Sequence, residues 1–455
     1  MATDDVRTAA PPPQRGLIAR PGLILALLFA ANLLNFYDRT IPAIVVEPLK
    51  AEFSLSDAQI GLISAAFTIV YAVVGIPLGR LADRISRKWV LAVCLVAWSL
   101  FTAATGMADI FLVLVFIRLL VGVGEAGFAP AATSMIADLY PSERRARAAG
   151  LLQLGLPVGL ILAYFTVGSI TEAFGTWRAA FLLAAVPGLF LAVLLLFVRE
   201  PLRGAAERVA PAPPTAAPSA PVLSASGVER PFQRLLRTPT LWWLVFAGIG
   251  AQVSAYAVTT FSVPLFQRFF GTDLTTGALL TGVTVGLTGL VGLTAGGRAA
   301  DLAGRRSPAA RVGVGAASVL AAVPLTFVPF LFGAEAIGLF TAVFSLGWLL
   351  QYVYFTAAYP AIADVAVPRL RGTAMAVYLA ASYLLGGALG PLLAGALSDR
   401  FAAAAVGVSA AQAAAVGLHT SLMIVVPAGL LVAGLGLLGA SRTIARDSAR
   451  KDAEV

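Results

Sequence analysis

Cysteine and histidine are almost missing from this chain: its 455 residues include one of each, Cys94 and His419. A single cysteine excludes an intramolecular disulfide. With only one histidine as well, no metal site of the usual ligand spacing can be assembled, so neither a metal nor another cofactor is expected. Charge is also scarce, at 12% of residues, against about 25% in soluble domains. Together with 59% hydrophobic residues, this composition indicates an integral membrane protein.

The apolar residues fall into runs of about 20, the length that a helix needs to cross a bilayer. Twelve such runs lie between Pro21 and Gly439, so we predict an all-α membrane protein with twelve transmembrane helices. We number them spans 1 to 12; their predicted positions are near residues 21–45, 57–79, 89–107, 110–137, 146–169, 178–198, 240–267, 275–296, 310–332, 336–361, 371–396 and 418–440.

One long break divides the spans into two sets of six. The stretch from Ala210 to Pro218 is rich in proline and alanine and lacks apolar mass, which is typical of a flexible tether. Pro231 to Thr238 then resembles a short basic amphipathic segment lying on the membrane surface. The predicted organisation is a disordered cytoplasmic tail without a signal peptide, an N-terminal bundle, a linker, a C-terminal bundle and a charged, frayed tail. Their ranges are 1–20, 21–199, 200–238, 239–440 and 441–455.

The net charge of +9 is distributed unevenly between the loops. Arginine and lysine cluster in alternate loops, and the loops between them carry mainly aspartate and glutamate. By the positive-inside rule, both termini and the central linker are predicted to lie in the cytoplasm. This placement accounts for the excess of positive charge, so a nucleic acid is not expected as a partner.

Two loop segments occur twice. The stretch from Gly79 to Lys88 recurs from Gly297 to Arg306, and Ala137-Asp138 is echoed by Ala363-Asp364. Duplicated halves around a central site are typical of secondary transporters. The carboxylates in the first repeat can cap helix ends and bridge to arginines, which would latch the two halves together. The predicted gating residues are Gly79, Asp83, Arg84, Arg87, Asp301 and Arg305.

Four charged residues lie deep inside predicted spans: Asp38 and Arg39 in span 1, and Arg118 and Glu125 in span 4. Because charge inside a membrane is costly, such residues are candidates for a functional site. We expect Glu125 and Asp38 to exchange a proton, and Arg39 or Arg118 to bind an anion. Asp38 with Arg118 is the expected ion pair, since both lie at similar depth. An ion pair that only holds two helices together is the alternative.

Glycine surrounds Glu125 at positions 122, 124 and 127 and is expected to leave space beside its carboxylate. The second half offers polar and aromatic side chains in place of deep charges. An amphipathic substrate with an ionic head would suit a cavity of that kind, although each tyrosine is also explained by packing. The further candidates for substrate binding are Asn35, Tyr37, Gln252, Tyr256, Tyr352, Tyr354, Tyr378 and Tyr383.

The loop Gly79-Arg-Leu-Ala-Asp83-Arg84-Ile-Ser86-Arg87-Lys88 resembles the signature loop of the major facilitator superfamily, with Ser86 in place of the usual second glycine. That resemblance implies two six-helix bundles related by a pseudo-two-fold axis. Several further stretches resemble the Spinster family: Asn32-Leu-Leu-Asn35-Phe-Tyr-Asp38-Arg39, Arg118-Leu-Leu-Val-Gly-Val-Gly-Glu125-Ala, Ile136-Ala-Asp138-Leu-Tyr-Pro141 and Arg199-Glu200-Pro201-Leu-Arg203-Gly-Ala.

The eukaryotic members of the Spinster family move lysophospholipids or sphingosine phosphate and are thought to couple to protons. The resemblance implies Asp38, Arg39, Arg118 and Glu125 as the polar core of the first half. After Glu125, Ala-Gly-Phe-Ala-Pro replaces the more polar Ser-Tyr run of the animal members. That stretch is also similar to the anion–cation symporter family.

The sequence therefore predicts a proton-coupled secondary transporter of a bacterial inner membrane that works by alternating access. Its expected substrate is an amphipathic anion such as a lysophospholipid or a sphingolipid-like molecule, its other partners are protons and membrane lipids, and a monomer is expected. A proton-coupled organic-acid symporter is the alternative, and a non-transporting receptor is a remote one. An enzyme is not expected, because the deep charges include no nucleophile with a paired base.

Overall fold

The computed structural model describes residues 17–203, 235–367 and 370–452, apart from the side chains of Asp83, Ser142, Ala146 and Asp452. Within these residues, twelve helices are long and apolar enough to cross a membrane, which confirms the predicted count. Spans 10 and 11 are separate helices. The spans run over Pro21–Ile44, Asp57–Ala82, Arg87–Thr105, Phe111–Leu139, Glu143–Phe174, Arg178–Leu196, Pro239–Phe270, Leu274–Gly304, Pro308–Leu331, Ala334–Val365, Arg371–Ala404 and Ala410–Lys451.

Local signals explain where several spans begin. Pro21, Pro239 and Pro308 each occupy the first turn of a helix, where the missing amide hydrogen costs nothing. Span 2 starts with a capping box, in which Ser56 and Gln59 each accept a hydrogen bond from the other's backbone amide. Such caps satisfy amides that the helix itself leaves unpaired.

Four spans are interrupted. Span 4 breaks at Gly127, between Phe111–Ala126 and Phe128–Leu139, and span 5 breaks near Leu154. Spans 8 and 11 each contain one wide turn of π-helix, over Gly282–Leu287 and Ser382–Gly387. Insertions of this kind often mark functional places in a helix. Here the break in span 4 lies two residues after Glu125.

Spans 1 to 6 and spans 7 to 12 each pack mainly among themselves, which gives two bundles of six helices. We call the end of the molecule where spans 1 and 7 begin the termini end, and the other the opposite end. The two bundles meet through span 2 against span 11 and span 5 against span 8. A β-carbon added at Gly168 of span 5 would lie 2.8 Å from the α-carbon of Thr275 at the start of span 8. Backbones approach this closely because the position has no side chain.

The expectation of a frayed C-terminal tail is wrong for the residues that the structure describes. The last helix continues to Asp452, with Ile444 and Asp447 buried. Asp447 Oδ2 accepts hydrogen bonds from the amide and the hydroxyl of Thr240, at 3.1 and 2.7 Å, and so caps the start of span 7. This contact could not be seen in the sequence because its two partners are far apart along the chain. The predicted N-terminal tail before Leu17, most of the linker (204–234) and residues 453–455 lie outside the described residues.

Candidate functional site

The first bundle holds an ion pair between spans 1 and 4, on the side that faces the second bundle. Arg39 Nε donates to Glu125 Oε2 at 2.5 Å, and the Glu125 side chain is fully buried. The guanidinium of Arg39 lies over the Tyr71 ring, 4.0 Å from its centroid, with Phe67 at 5.4 Å on the same span. Cation–π contacts of this kind help to hold a buried cation. Arg39 and Glu125 are therefore neutralised together inside an aromatic surround.

The predicted pairing of Asp38 with Arg118 is wrong, because the ion pair within 4 Å is Arg39 with Glu125. Neighbouring residues on a helix point about 100° apart, so Asp38 faces span 3 while Arg39 faces spans 2 and 4. There the hydroxyl of Thr102 lies 3.5 Å from Asp38 Oδ2. Asp38 Oδ1 has no hydrogen-bond partner, although the residue is only 1% exposed.

Arg118 is the second buried cation. It is 3% exposed, and its Nε and Nη1 atoms have no hydrogen-bond partner. Its guanidinium lies 5.1 Å from the centroid of the Phe67 ring, so both arginines contact Phe67. Arg118 also lines a small cavity of about 20 Å³ on the side of the opposite end. The cluster thus contains two carboxylates and two arginines but one close ion pair.

The glycines around Glu125 do not leave a cavity, contrary to the prediction. A β-carbon at Gly124 would lie 2.9 Å from the backbone nitrogen of Trp98, and one at Gly127 would lie 2.7 Å from Cys94 Sγ. Both contacts are with span 3, and Gly122 lies against Phe67. The small residues therefore let span 4 pack directly onto spans 2 and 3, which is what fixes Glu125 in place.

The second bundle closes the site with aromatic side chains. Tyr256 and Tyr383 contact each other edge to face, with ring centroids 6.1 Å apart, and both are near enough to Arg39 to interact with its charge. Gln252 lies beside Tyr383. The cluster consequently lies between the two bundles, where sequence analysis expected charged residues to face aromatic ones.

The other predicted tyrosines are placed differently. Tyr37 shares a hydrogen bond of 2.9 Å with Thr166 of span 5. The hydroxyl of Tyr352 donates to the carbonyl of Val285 at 2.9 Å, and Tyr354 and Tyr378 share a hydrogen bond of 2.5 Å. The Tyr37 hydroxyl connects two helices of the first bundle, and the other three hydroxyls connect helices of the second bundle. Asn35, by contrast, lies beside Glu125.

Phe67 and Tyr71 were missed by the sequence analysis, although a signal was present. They are four residues apart in span 2, so they share one helix face, and their rings stack at 6.3 Å. An aromatic pair at this spacing is usually packing. What distinguishes this pair from the other aromatic pairs is the Arg39 guanidinium, which lies against both rings in the structure.

A polar network joins the two bundles at the opposite end. The two terminal nitrogens of Arg268, Nη1 and Nη2, donate to both carboxylate oxygens of Asp57 at 2.7 and 2.8 Å. Asp57 also accepts from Lys50 at 2.5 Å and from Ser398 at 2.6 Å. In return, Asp399 accepts from the amides of Asp57 and Ala58 at the start of span 2. We call this network, built from Lys50, Asp57, Arg268, Ser398 and Asp399, the inter-bundle latch.

The sequence carried a signal for this latch. Arg268 is a basic residue at the end of the molecule where the charge pattern places mainly acidic ones. A second arginine at this end, Arg178, stays within the first bundle, where it donates to Glu52 and Asp109. That hydrogen bond from Arg178 holds the pKa of Glu52 below its usual range.

The predicted gating residues lie at the termini end. Arg87 is 1% exposed and pairs with Asp138 and Glu200 of its own bundle, while Arg311 pairs with Asp364 in the second bundle. Burial of the Glu200 carboxyl raises its pKa, but hydrogen bonds from Ser86 and Arg87 outweigh this effect and hold the pKa below its usual range.

Among the described residues, the remaining predicted gating residues make no such ion pair. Gly79 packs near Pro130, and Arg84, Asp301 and Arg305 are exposed. The side chain of Asp83 lies outside the described residues, so its gating role remains a prediction.

A twelve-helix membrane protein with two similar bundles and a charged site between them is built as a secondary transporter. The chain belongs to the Major Facilitator Superfamily, whose model matches residues 28–391. Within this superfamily it is a Spinster-type transporter and not an enzyme, as its similarity to Spinster proteins and to a solved Spinster homolog indicates.

The curated relatives cover most of the chain. Protein spinster homolog 1 of Homo sapiens is 30% identical over 403 residues, 84% of this chain and 74% of the human protein. An MFS-type efflux pump of Mycolicibacterium smegmatis is 30% identical over 379 residues, 82% of this chain and 84% of the pump.

The fold is similar to solved transporters. A bacterial homolog of the human lysosomal transporter Spinster, in an inward-facing and unoccupied conformation, superposes with a TM-score of 0.81 at 27% identity. The match covers 94% of this chain and 98% of that one. A D-xylose-proton symporter has a TM-score of 0.64 at 18% identity, covering 89% and 98% of the two chains, and shows the shared fold.

Proposed function

We propose that this Spinster-type transporter moves an amphipathic anion, such as a lysophospholipid, in exchange for or together with protons. The observation that carries the proposal is the buried cluster of Asp38, Arg39, Arg118 and Glu125 with one close ion pair. Charges at this depth are costly, and proteins keep them where ions or substrates must be bound.

Proton uptake by Glu125 would remove the negative partner of Arg39. The guanidinium would then be left with the rings of Tyr71 and Phe67 and be free to bind the anionic head of a substrate. Asp38 also supports a role for the cluster in proton uptake, since its carboxylate is buried without an ion pair and can accept a proton without breaking one. Arg118 offers two unpartnered nitrogens to an anion.

The apolar body of the substrate would lie against the aromatic side chains that meet between the bundles. Tyr71 and Phe67 belong to the first bundle, and Tyr256 and Tyr383 to the second. Rings tolerate an alkyl chain without demanding a fixed polar geometry, which suits a lipid-like molecule. A small organic acid would use the arginines alone.

Alternating access would consist of a rocking motion of the two bundles about this site. The hydrogen bonds between Asp57 and Arg268 link the two bundles at the opposite end, which supports a conformation closed at that end. The similarity to an inward-facing Spinster homolog supports the same conformation here. Opening the opposite end would require the latch to break, and Arg84, Asp301 and Arg305 are the exposed residues available to close the termini end.

The basic loops support a cytoplasmic position for the termini end, and therefore a bacterial inner membrane as the location. On this topology, the latch faces the outside of the cell. The proposed anion-binding site lies about four fifths of the way along span 1 from the cytoplasm, as the position of Arg39 within Pro21–Ile44 indicates.

The test is uptake of a labelled lysophospholipid into liposomes that contain the protein, with and without an imposed pH gradient. We expect uptake that depends on the gradient, and we expect Glu125→Gln to abolish that dependence. Glu335→Gln is the matched control, because Glu335 is an exposed glutamate far from the cluster in sequence. Uptake that is unchanged in Glu125→Gln would contradict the coupling role. Uptake of a small organic acid but not of the lipid would favour the organic-acid symporter.

A further inference from the structure

The extension of span 12 at the termini end packs against the rest of the second bundle. Ile444 is fully buried, and Asp447 is held by the amide and hydroxyl of Thr240 at the start of span 7. Thr443 adds a hydrogen bond of 2.7 Å to the same threonine. The backbone that carries the outer face of this extension is therefore held in place.

Three arginines share that outer face. Arg442, Arg446 and Arg450 are spaced four residues apart, and all three are exposed. At this spacing they span about 80° of the helix circumference and about 12 Å of its length. Asp447 turns its carboxylate inward, where its side chain is 3% exposed, and Arg446 Nε lies 3.6 Å from it. The outer face is thus strongly positive.

A tryptophan marks the depth of this face in the membrane. The indole of Trp243 packs on Gly439, where a side chain would collide with its ring, and Trp243 is 41% exposed. Exposed tryptophan at the end of a span is typical of the boundary between hydrocarbon and head groups. From Gly439, Arg442 lies about 5 Å and Arg446 about 10 Å further along the helix axis. The head-group layer is about 5–8 Å thick on each side of a bilayer.

We propose that Arg442, Arg446 and Arg450, beside the Trp243 indole, bind the head group of an anionic phospholipid of the inner leaflet. The charge and the depth of these arginines identify the ligand as a lipid head group. The three cations lie at and just beyond the phosphate layer of the bilayer, where a membrane lipid reaches them directly. Arginine binds phosphate oxygens through paired hydrogen bonds. The lipid would join span 12 to the start of span 7 and so brace the second bundle during transport.

The experiment is native mass spectrometry of the purified full chain, titrated with phosphatidylglycerol or with phosphatidylcholine of the same acyl chains. We expect the protein to bind phosphatidylglycerol in preference. The triple variant Arg442→Gln, Arg446→Gln and Arg450→Gln should bind it about tenfold or more weakly and bind phosphatidylcholine unchanged. The triple lysine variant, which retains the charge but loses the paired hydrogen bonds of arginine, should bind phosphatidylglycerol more tightly than the glutamine variant and less tightly than the unmodified chain.

The matched control is the triple variant Arg144→Gln, Arg147→Gln and Arg306→Gln, which removes the same charge from exposed positions elsewhere at the termini end. An equal loss of binding in this control would overturn the proposal, since the attraction would then be spread over the whole basic surface. Equal binding of the two lipids by the unmodified chain would overturn it as well. Thermal unfolding of each variant in neutral lipid confirms that the fold is kept. Because detergent exposes both ends of the molecule, the result does not depend on the proposed topology.

Discussion

At the scale of single residues, Asp38 and Glu125 differ in what surrounds them although they belong to one cluster. Glu125 is paired with Arg39 at 2.5 Å, and Asp38 has the hydroxyl of Thr102 at 3.5 Å. A buried charge that loses its partner is strongly destabilising, whereas a buried group without a close partner has less to lose. The two carboxylates should therefore respond differently to substitution.

We predict that Arg39→Ala lowers the free energy of unfolding by about 3–5 kcal/mol, because it leaves the buried Glu125 carboxylate without its close ion-pair partner. The double variant Arg39→Ala with Glu125→Ala should recover part of that loss. Asp38→Asn, which keeps the shape of the side chain, should change stability by less than about 1 kcal/mol. Thermal unfolding in detergent measures all three. A larger loss from Asp38→Asn than from Arg39→Ala would show that Asp38 has the essential partner.

At the scale of elements, glycine decides how closely the helices approach. In span 5, Gly155 and Gly159 lie against Asn32 and Leu33 of span 1, and a β-carbon at Gly159 would collide with the carbonyl of Leu33. Gly150 of the same span has nothing within 4 Å of its missing side chain. One sequence segment therefore contains a glycine that packing requires and another that it does not.

We predict that Gly159→Ala destabilises the protein by about 1–3 kcal/mol through overpacking. The matched substitution Gly150→Ala should be neutral or stabilise by up to about 1 kcal/mol, since alanine favours the helix and meets no neighbour. The melting temperatures of the two variants provide the comparison. If Gly150→Ala proved the more damaging of the two, the contact between spans 1 and 5 would not be the reason for the glycine.

At the scale of the whole molecule, the state of the transporter depends on contacts between the bundles. The latch connects the start of span 2 to the ends of spans 7 and 11, and its central residues are nearly buried, with Arg268 7% and Asp57 3% exposed. An ion pair so well shielded from water resists opening more than a surface pair does. The latch therefore opposes separation of the two bundles at the opposite end.

We predict that Arg268→Ala opens the opposite end in a larger share of molecules. Spin labels on cysteines introduced at Ala51 and Val406, both exposed at that end, report the separation of the bundles by double electron–electron resonance. Arg268→Ala should add a population at longer distance. Arg178→Ala, which removes an arginine paired within one bundle, is the control and should leave the distances unchanged. Identical distributions for both variants would exclude the latch as a gate.

The sequence by itself determined the membrane class, the twelve spans and the division into two similar halves. These follow from the length and spacing of apolar runs, which each segment carries independently of the others. The repeated Asp138 and Asp364 were visible in the same way, and the structure adds that each pairs with an arginine of its own bundle. Asp38, Arg39, Arg118 and Glu125 were identifiable because charge deep in a span is costly wherever it stands.

Only the tertiary structure decided which of these charges meet. Arg39 and not Arg118 reaches a carboxylate, because the packing of spans 1, 2 and 4 sets the direction of each side chain to within a fraction of a helical turn. The latch and the contact of Asp447 with Thr240 were likewise hidden, since their partners come from distant parts of the chain. Local pattern specifies helices, but the register between helices depends on every contact along their shared faces.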